Sequence, residues 1–294
     1  MPPASQTLLV DLSDNALLAI TGDDATTFLQ GQLTNDVAAL KPGQSQWTGW
    51  CSPKGRLIAT LLLIKRGDGY LAMLPAELAP PIAKRLGMFV LRSKVKIADV
   101  SAGHARFGLV GPGAAQAAQE MTGLDVMSLP LGPELQLVIG PAGSVHPSLT
   151  PGRREDWTLA LIRAGIPTIV AATQDEFVPQ MANFDLIGGV SFRKGCYTGQ
   201  EIVARTQYRG ILKKRMTIAH VDGVTPQPGQ SVYSPAFGEQ SAGTVVNVAA
   251  APEGGYDVLV VAQIQSLREG KLRLGSPDGA PIEIRRHPAE APAS

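Results

Sequence analysis

Arg193-Lys194-Gly195-Cys196-Tyr197-Thr198-Gly199-Gln200-Glu201 sets a thiol, two cations and two glycines ahead of the apolar pair Ile202-Val203. Thr198 and Glu201 have the Thr-x-x-Glu spacing of a capping box, which predicts a helix beginning after Thr198. Ile202 and Val203 would give that helix its apolar face, and Gly210 would stop it. Cys196 then lies two residues before the cap, near the positive end of the helix dipole, with Arg193 and Lys194 beside it. Both influences favour the thiolate and make Cys196 a candidate nucleophile, redox group or soft-metal ligand. A free cysteine is also commonly just a small buried residue, and the residues alone leave both readings open.

Downstream, the texture changes after Met216. Gly, Pro and Ser turns separate short Val-rich runs, including Gly243 to Val248 and Tyr256 to Val261, as in a small β-barrel of about 75 residues. The polar, Pro/Ala-rich stretch Arg285 to Ser294 reads as a frayed tail. Upstream, Leu57 to Ile64, the Arg66-Gly67-Asp68-Gly69 turn and Tyr70 to Leu74 predict a hairpin. Two apolar runs within Leu8 to Ile20, split by Asp11, Ser13 and Asp14, predict another. Thr21 and Asp24 form a weaker capping box before a short helix with Phe28, Leu29 and Leu33 on one face. A second helix starts near Pro80 and Pro81 and carries Ile82, Leu86 and Phe89 inward, and Val95 and Ile97 mark an edge or half-buried strand. This order of elements is α+β with antiparallel sheets.

The chain has 294 residues, with 26 basic and 25 acidic side chains. A net charge of +1 argues against nonspecific nucleic-acid binding, which needs a basic excess. Hydrophobic residues at 44% exclude a disordered chain, and two cysteines, Cys51 and Cys196, fit a reducing compartment. No apolar run approaches the ~18 to 20 residues of a membrane span, and Met1 to Thr7 has no positive n-region. A cytoplasmic protein without a membrane partner is the expectation.

Three local patterns are weighed and set lower. Gly111-Pro112-Gly113 before an Ala-rich helix lacks the third glycine of a dinucleotide fingerprint, because position 116 is Gln116, and Pro112 removes a backbone donor. His104, His146, His220 and His287 lack the clustered spacing of a metal site, and two cysteines cannot supply four cluster ligands. Arg205, Arg209, Lys213, Lys214 and Arg215 form the densest basic stretch, with Tyr208 interleaved. Its bland reading is a solvated helix and strand edge; its sharper reading is an anionic ligand or RNA contact.

Lys194 to Glu201 resembles the signature of the YgfZ family of folate-binding proteins, which is related to the T-protein (aminomethyltransferase) of the glycine cleavage system. Other landmarks follow the same order: Gly22-Asp23 with Phe28 to Leu33, Cys51-Ser52-Pro53-Lys54-Gly55-Arg56, Trp157 with Ala164-Gly165-Ile166-Pro167, and Phe177-Val178-Pro179-Gln180 with Asn183. The likeness covers nearly the whole chain.

The resemblance implies a ring-like arrangement of two interleaved α+β subdomains over 1–216, a C-terminal β-barrel over 217–285 and a flexible tail over 286–294. It implies an accessory protein that binds tetrahydrofolate or a derivative and supports assembly or repair of iron–sulfur proteins, and through them tRNA modification. By matched position Cys196 is the key thiol and Trp157 a folate-contacting tryptophan. Arg193 and Lys194 are candidates to hold the thiolate or the folate's carboxylates, Arg205 and Arg209 candidates for the same tail, and Tyr197 and Gln200 candidate cofactor contacts within the signature. Two departures stand out. Asn15 occupies the place of a second folate-contacting tryptophan, and Ala59-Thr60 falls where the T-protein has its catalytic aspartate. Without a carboxylate there the general acid/base group for one-carbon transfer is missing, which argues against aminomethyl transfer. That transferase is one rival; the other is a non-enzymatic RNA- or protein-binding module.

Overall fold

A computed structural model describes residues 6–67, 69–121, 127–132, 134–144 and 149–286. The chain opens with β1 (Leu8–Asp11), β2 (Asn15–Thr21), α1 (Ala25–Gln32), β3 (Ser45–Cys51), β4 (Leu57–Arg66), β5 (Gly69–Pro75) and α2 (Ala79–Val90). It continues with β6 (Lys96–Asp99), β7 (His104–Val110), α3 (Ala114–Met121), β8 (Met127–Gly132), β9 (Leu135–Pro141), β10 (Thr150–Gly152) and α4 (Arg154–Ala164). Then come α5 (Gln200–Tyr208), β11 (Lys214–Val221), β12 (Ser231–Tyr233), β13 (Gly243–Ala250), β14 (Tyr256–Gln263), α6 (Ile264–Glu269), β15 (Leu272–Leu274) and β16 (Pro281–Arg286). These elements fall into two units, each discontinuous in sequence. Unit 1 takes residues 1–29, 37–46 and 61–160; unit 2 takes 30–36, 47–60 and 161–294.

Unit 1 holds the sheet ordered β10-β1-β7-β9-β8 and most of the sheet ordered β3-β4-β5-β2-β6. β1 pairs β10 in parallel, whereas β1–β7, β7–β9, β8–β9, β4–β5, β2–β5 and β2–β6 are antiparallel, which bears out the α+β reading. The β4–β5 hairpin forms as expected, with Arg66 opposite Gly69, while Asp68 of its turn lies outside the described residues. β6 is an edge strand paired to β2, as the alternation around Ile97 predicted.

The hairpin expected within Leu8 to Ile20 does not form. β1 pairs β7 and β10, whereas β2 pairs β5 and β6 in the other sheet. Between them Asp11 Oδ1 accepts from Ser13 N at 2.9 Å and Asn15 N donates to Leu12 O at 2.9 Å, an Asx turn that redirects the chain from one sheet to the next. The Thr21–Asp24 box is also absent. α1 begins at Ala25, and the Asp24 carboxylate instead accepts from Lys94 N at 2.7 Å. Ala25, Phe28, Leu29 and Leu33 are buried as the spacing requires. In α2, Ala79, Ile82 and Leu86 are buried but Phe89 is 44% exposed, since the last turn runs past the covered stretch together with Met88 and Leu91.

Gly111-Pro112-Gly113 is a plain strand-to-helix turn: Gly111 N donates to Glu134 O and Gly113 N to Thr7 Oγ1, so its amides are spent within the fold. Landmark Ala164-Gly165-Ile166 closes α4. Ile166 N donates to Leu161 O and Gly165 N to Ile162 O, with Gly165 at φ 73, a Schellman motif that only glycine enters without strain.

In unit 2, β11-β14-β13-β12-β15-β16 closes into a barrel. Residues two apart line its interior, among them Val258, Val260 and Ala262 of β14, Ala219 and Val221 of β11, Leu272 and Leu274 of β15, and Ile282 of β16. Arg285 and Arg286 belong to β16, where Arg286 pairs with Ile218, so they are strand and not tail; residues 287–294 lie outside the described residues.

Candidate functional site

Four stretches far apart in the chain meet within unit 2, each holding all or part of a sequence landmark: 30–36 (with Gln30 to Leu33), 51–56, 177–183 and 193–203 (with the signature Lys194 to Glu201). The meeting is tightest where two glycines with positive φ face each other. Gly55 (φ 68) turns the chain between β3 and β4, held by Ser52 N to Arg56 O and Gly55 N to Ser52 O, both 2.8 Å. Gly199 (φ 82) starts α5 against that turn, where a Cβ would sit 2.4 Å from Ser52 O and 2.9 Å from Gly55 Cα. The expected capping box is therefore not realised: Gly199 is the N-cap, no side chain caps the helix, and Thr198 precedes it. Close backbone approach outweighs the roughly 1 kcal/mol of a side-chain cap. Val203 is buried as predicted, and α5 ends at Tyr208 shortly before Gly210.

Lys194 is the buried cation of this loop. Its Nζ donates to Gln30 O (2.6 Å), Leu33 O (2.6 Å) and Asn35 O (3.1 Å), the carbonyls around the end of α1. An ammonium at a helix C-terminus is favoured by the dipole, and the Tyr197 ring lies 5.1 Å from it. Burial pulls its pKa down to about 8 against the opposing charge of Asp36. An ammonium has three protons, and all three are on main-chain oxygens. Lys194 thus pins the signature loop to residues 30–35 and has no donor left to hold the Cys196 thiolate, contrary to the sequence expectation.

The two cysteines divide sharply. Cys51 is buried, and burial together with nearby Asp175 pushes its thiol up to about 12, so it is a protonated packing residue. Cys196 is exposed. Tyr197, next to it in the chain, is buried, and its phenol is pushed up by burial and by the Cys51 thiol. Gln200 closes the loop, with Nε2 to Gly195 O at 3.4 Å and N to Tyr197 O at 3.1 Å.

Behind the loop, Gln180 Nε2 donates to Val203 O at 2.8 Å, and Asn183 Nδ2 to Met216 O at 2.8 Å. Arg215 makes a bidentate pair with Asp185 (2.7 and 2.9 Å) and donates to Gln180 O at 2.8 Å. Its guanidinium is largely buried and neutralised, so Arg215 leaves the basic patch in which the sequence placed it. Arg193, Arg205, Arg209 and Lys213 remain exposed, and none joins an ion pair among the described residues. Ser52 Oγ and Gln180 Oε1 are buried without a hydrogen-bond partner among the described residues.

Ala59 and Thr60 are buried in β4, and Thr60 Oγ1 accepts from Ile169 N at 3.0 Å, so that position offers a structural hydroxyl and no proton-transfer group. Trp157 lies in unit 1, in α4, buried with its indole over Gly108 of β7, where a Cβ would come 2.2 Å from Cε3. Asn15 begins β2 and donates through Nδ2 to Asp14 at 3.2 Å.

One cluster escapes sequence spacing. His220, Glu253 and Asp257 bring ligand-type atoms within 4.8 Å of one another. His220 Nδ1 lies 2.8 Å from Asp257 Oδ1 and Nε2 3.3 Å from Asp222 Oδ1, both within hydrogen-bond distance. Arg163 pairs with Asp257 Oδ2 at 2.8 Å and with Glu253 at 3.1 Å, so a guanidinium already supplies the positive charge between the carboxylates. His220 and Asp257 are 37 positions apart in the chain, and the antiparallel pairing of β11 with β14 sets them opposite each other.

Comparison with known proteins gives consistent matches. The GCVT N-terminal domain family matches residues 4–132. The tRNA-modifying protein YgfZ of Vibrio vulnificus (strain YJ016) is 36% identical over 226 residues, covering 71% of this chain and 69% of the relative. That of Serratia proteamaculans (strain 568) is 29% identical over 313 residues, covering 98% and 94%. Among solved structures, the glycine cleavage system aminomethyltransferase T from Bartonella henselae superposes with a TM-score of 0.74 at 15% identity, covering 95% of this chain and 85% of that one, a likeness of fold.

Proposed function

The chain belongs to the YgfZ family, and on that premise we propose that it is a cytoplasmic folate-binding accessory protein that supports iron–sulfur proteins, including those that modify tRNA. The observation that carries the reading is the convergence in unit 2 of four landmark segments on a loop whose cysteine, Cys196, is exposed while Cys51 is buried. That loop is held from behind by Lys194 and by the Gly55–Gly199 contact, so the thiol is presented on a fixed frame. A rigid, accessible thiol is a soft donor suited to the iron of a client's cluster, which here is substrate. One thiol cannot hold a cluster alone, so the client supplies the remaining ligands.

Reduced folate fits the residues present in part. The unpartnered Ser52 Oγ and Gln180 Oε1 are of the kind that pair with the amide and amino groups of a pterin, and Arg193, with Arg205 and Arg209 as weaker candidates, suits the carboxylate tail. Trp157, buried in unit 1, is proposed as a pterin contact by matched position alone. Tyr197 acts by burial beside Lys194, and Gln200 by closing the loop. Bound reduced folate would supply a reducing, one-carbon-carrying ring. The structural hydroxyl at Thr60 disfavours an aminomethyl transfer. We take 1–213 as the folate-binding region and 214–286, from β11 to β16, as the barrel domain, a few residues wider than the 217–285 expected from the sequence.

The test is a Cys196→Ser chain supplied to cells that lack the native protein, with an iron–sulfur tRNA-modifying enzyme as the readout. Loss of that activity is expected, and wild-type activity would overturn the thiol reading. For the ligand, tetrahydrofolate titration followed by tryptophan fluorescence should give saturable quenching that Trp157→Phe reduces; absence of binding by calorimetry would remove folate from the proposal.

A further inference from the structure

The end of α5 carries a surface of which the folate reading draws only on Arg205 and Arg209, as weaker candidates. From Arg193 to Lys214 the chain has six basic residues against one acidic, Glu201, although its net charge is only +1. Lys194 is buried on carbonyls, but Arg193, Arg205, Arg209 and Lys213 are exposed, and no hydrogen bond or ion pair occupies their side chains among the described residues. Elsewhere in unit 2, Arg163 is committed to Asp257 and Glu253 and Arg215 to Asp185, whereas Arg268 and Arg286 are exposed without an ion pair among the described residues. Within this unpaired group stands Tyr208, 68% exposed, its ring set edge-on to Phe192 at 6.2 Å between centroids and 76° between planes. Arg205 and Tyr208 occupy positions i and i+3 on one face of the last helical turn, and Arg209 follows as the C-cap, its N–H on Arg205 O.

We propose that this face binds a single-stranded segment of RNA, with an unpaired base on Tyr208 and backbone phosphates on Arg205, Arg209 and Lys213. Exposed, oriented aromatics among unpaired cations are the elements of single-strand recognition, since every base offers a π-face and the cations follow the backbone. An acidic polypeptide would answer the charges but leave the tyrosine ring without a flat partner. Duplex RNA keeps its bases stacked and out of reach. The inference extends the tRNA side of the proposed function, and it reassigns Arg205 and Arg209 from a folate tail to phosphates.

Fluorescence anisotropy of a labelled, unstructured RNA oligonucleotide with the full purified chain tests it. Neither folate nor a cluster protein is present, so failure of the thiol reading would not alter the result. Three phosphate contacts predict a slope of log affinity on log salt of about −2, and Arg205→Ala with Arg209→Ala should flatten it by about 1.4. Tyr208→Ala should weaken binding about five- to 160-fold, and Tyr208→Phe, which keeps the ring, should restore it. All substituted side chains are exposed, and circular dichroism would verify the fold of each variant. No binding at low salt, an unchanged slope in the double variant, or wild-type affinity in Tyr208→Ala would overturn the proposal. Displacement of the RNA by polyglutamate at matched charge would assign the face to an acidic protein, and displacement by folate polyglutamate to the folate tail; either result overturns it.

Discussion

Replacing Gly199 by alanine tests the joint on which the signature loop rests. Gly199 holds φ 82, and an alanine there bears the left-handed cost of about 1–2 kcal/mol. It also places a Cβ 2.4 Å from Ser52 O and 2.9 Å from Gly55 Cα, contacts with main chain that no rotamer can relieve. Overpacking of this kind adds about 1–3 kcal/mol, for a total of roughly 2–5 kcal/mol. Gly188 supplies the control: its φ is 73, yet nothing lies within 4 Å of where its Cβ would be. Gly188→Ala should therefore carry only the backbone cost, about 1–2 kcal/mol. Thermal unfolding by circular dichroism, at about 2 °C per kcal/mol in a chain of this size, should lower Tm by ~2–4 °C for Gly188→Ala and ~4–10 °C for Gly199→Ala. Equal losses in the two variants would refute the close approach of the two landmark turns.

Other consequences are as direct. A thiol reagent at neutral pH should titrate one group per native chain, Cys196, and a second only in denaturant, because burial holds the Cys51 thiol near a pKa of about 12; two fast thiols in the native chain would contradict this. Lys194→Met removes the ammonium from the carbonyls of Gln30, Leu33 and Asn35 and should cost about 1–3 kcal/mol in urea unfolding, the penalty of an acceptor left unsatisfied away from water; a neutral result would show the ammonium to be incidental. At His220, burial pulls the pKa down, but hydrogen bonds and charge from Asp257 and Asp222 outweigh it and leave the pKa raised. Its contribution to stability is then complete below the unfolded value of about 6.5 and lost as pH climbs through the higher folded value. Tm between pH 5.5 and 8.5 should fall more steeply for wild type than for His220→Gln, and parallel curves would count against the network.

Where neighbouring residues decide an outcome, the sequence was readable. The apolar run Leu57 to Ile64 and its turn give the β4–β5 hairpin, and alternating valines give the barrel lining. Misreadings came where a distant partner decides. The turn signals at Asp11 to Asp14 announce a change of direction, but the choice between a hairpin and a change of sheet depends on partners at 107–110 and 150–152. Thr198 and Glu201 carry a sound local signal, defeated by a turn some 140 residues upstream that requires the backbone of Gly199 to come close. Arg215 sits in a run of cations, and only the fold supplies Asp185. At the site, the exposed Cys196 agrees with one of the two open readings, whereas the role of Lys194 was invisible because its acceptors are main-chain oxygens, which every residue possesses alike.

The threading of unit 2 bears on how the protein can be made and cut. Its segments 30–36 and 47–60 leave the ribosome long before 161–294, so the early pieces must wait while unit 1 residues are synthesised between them. Lys194 meets its acceptors only across about 160 positions, a loop closure that places completion of the signature late in folding. A fragment beginning at residue 161 would contain the barrel, Cys196 and Lys194, yet none of the carbonyls at 30, 33 and 35. Such a fragment could keep a β-barrel but would carry the thiol on an unfastened loop, whereas the two pieces co-expressed have the means to reunite.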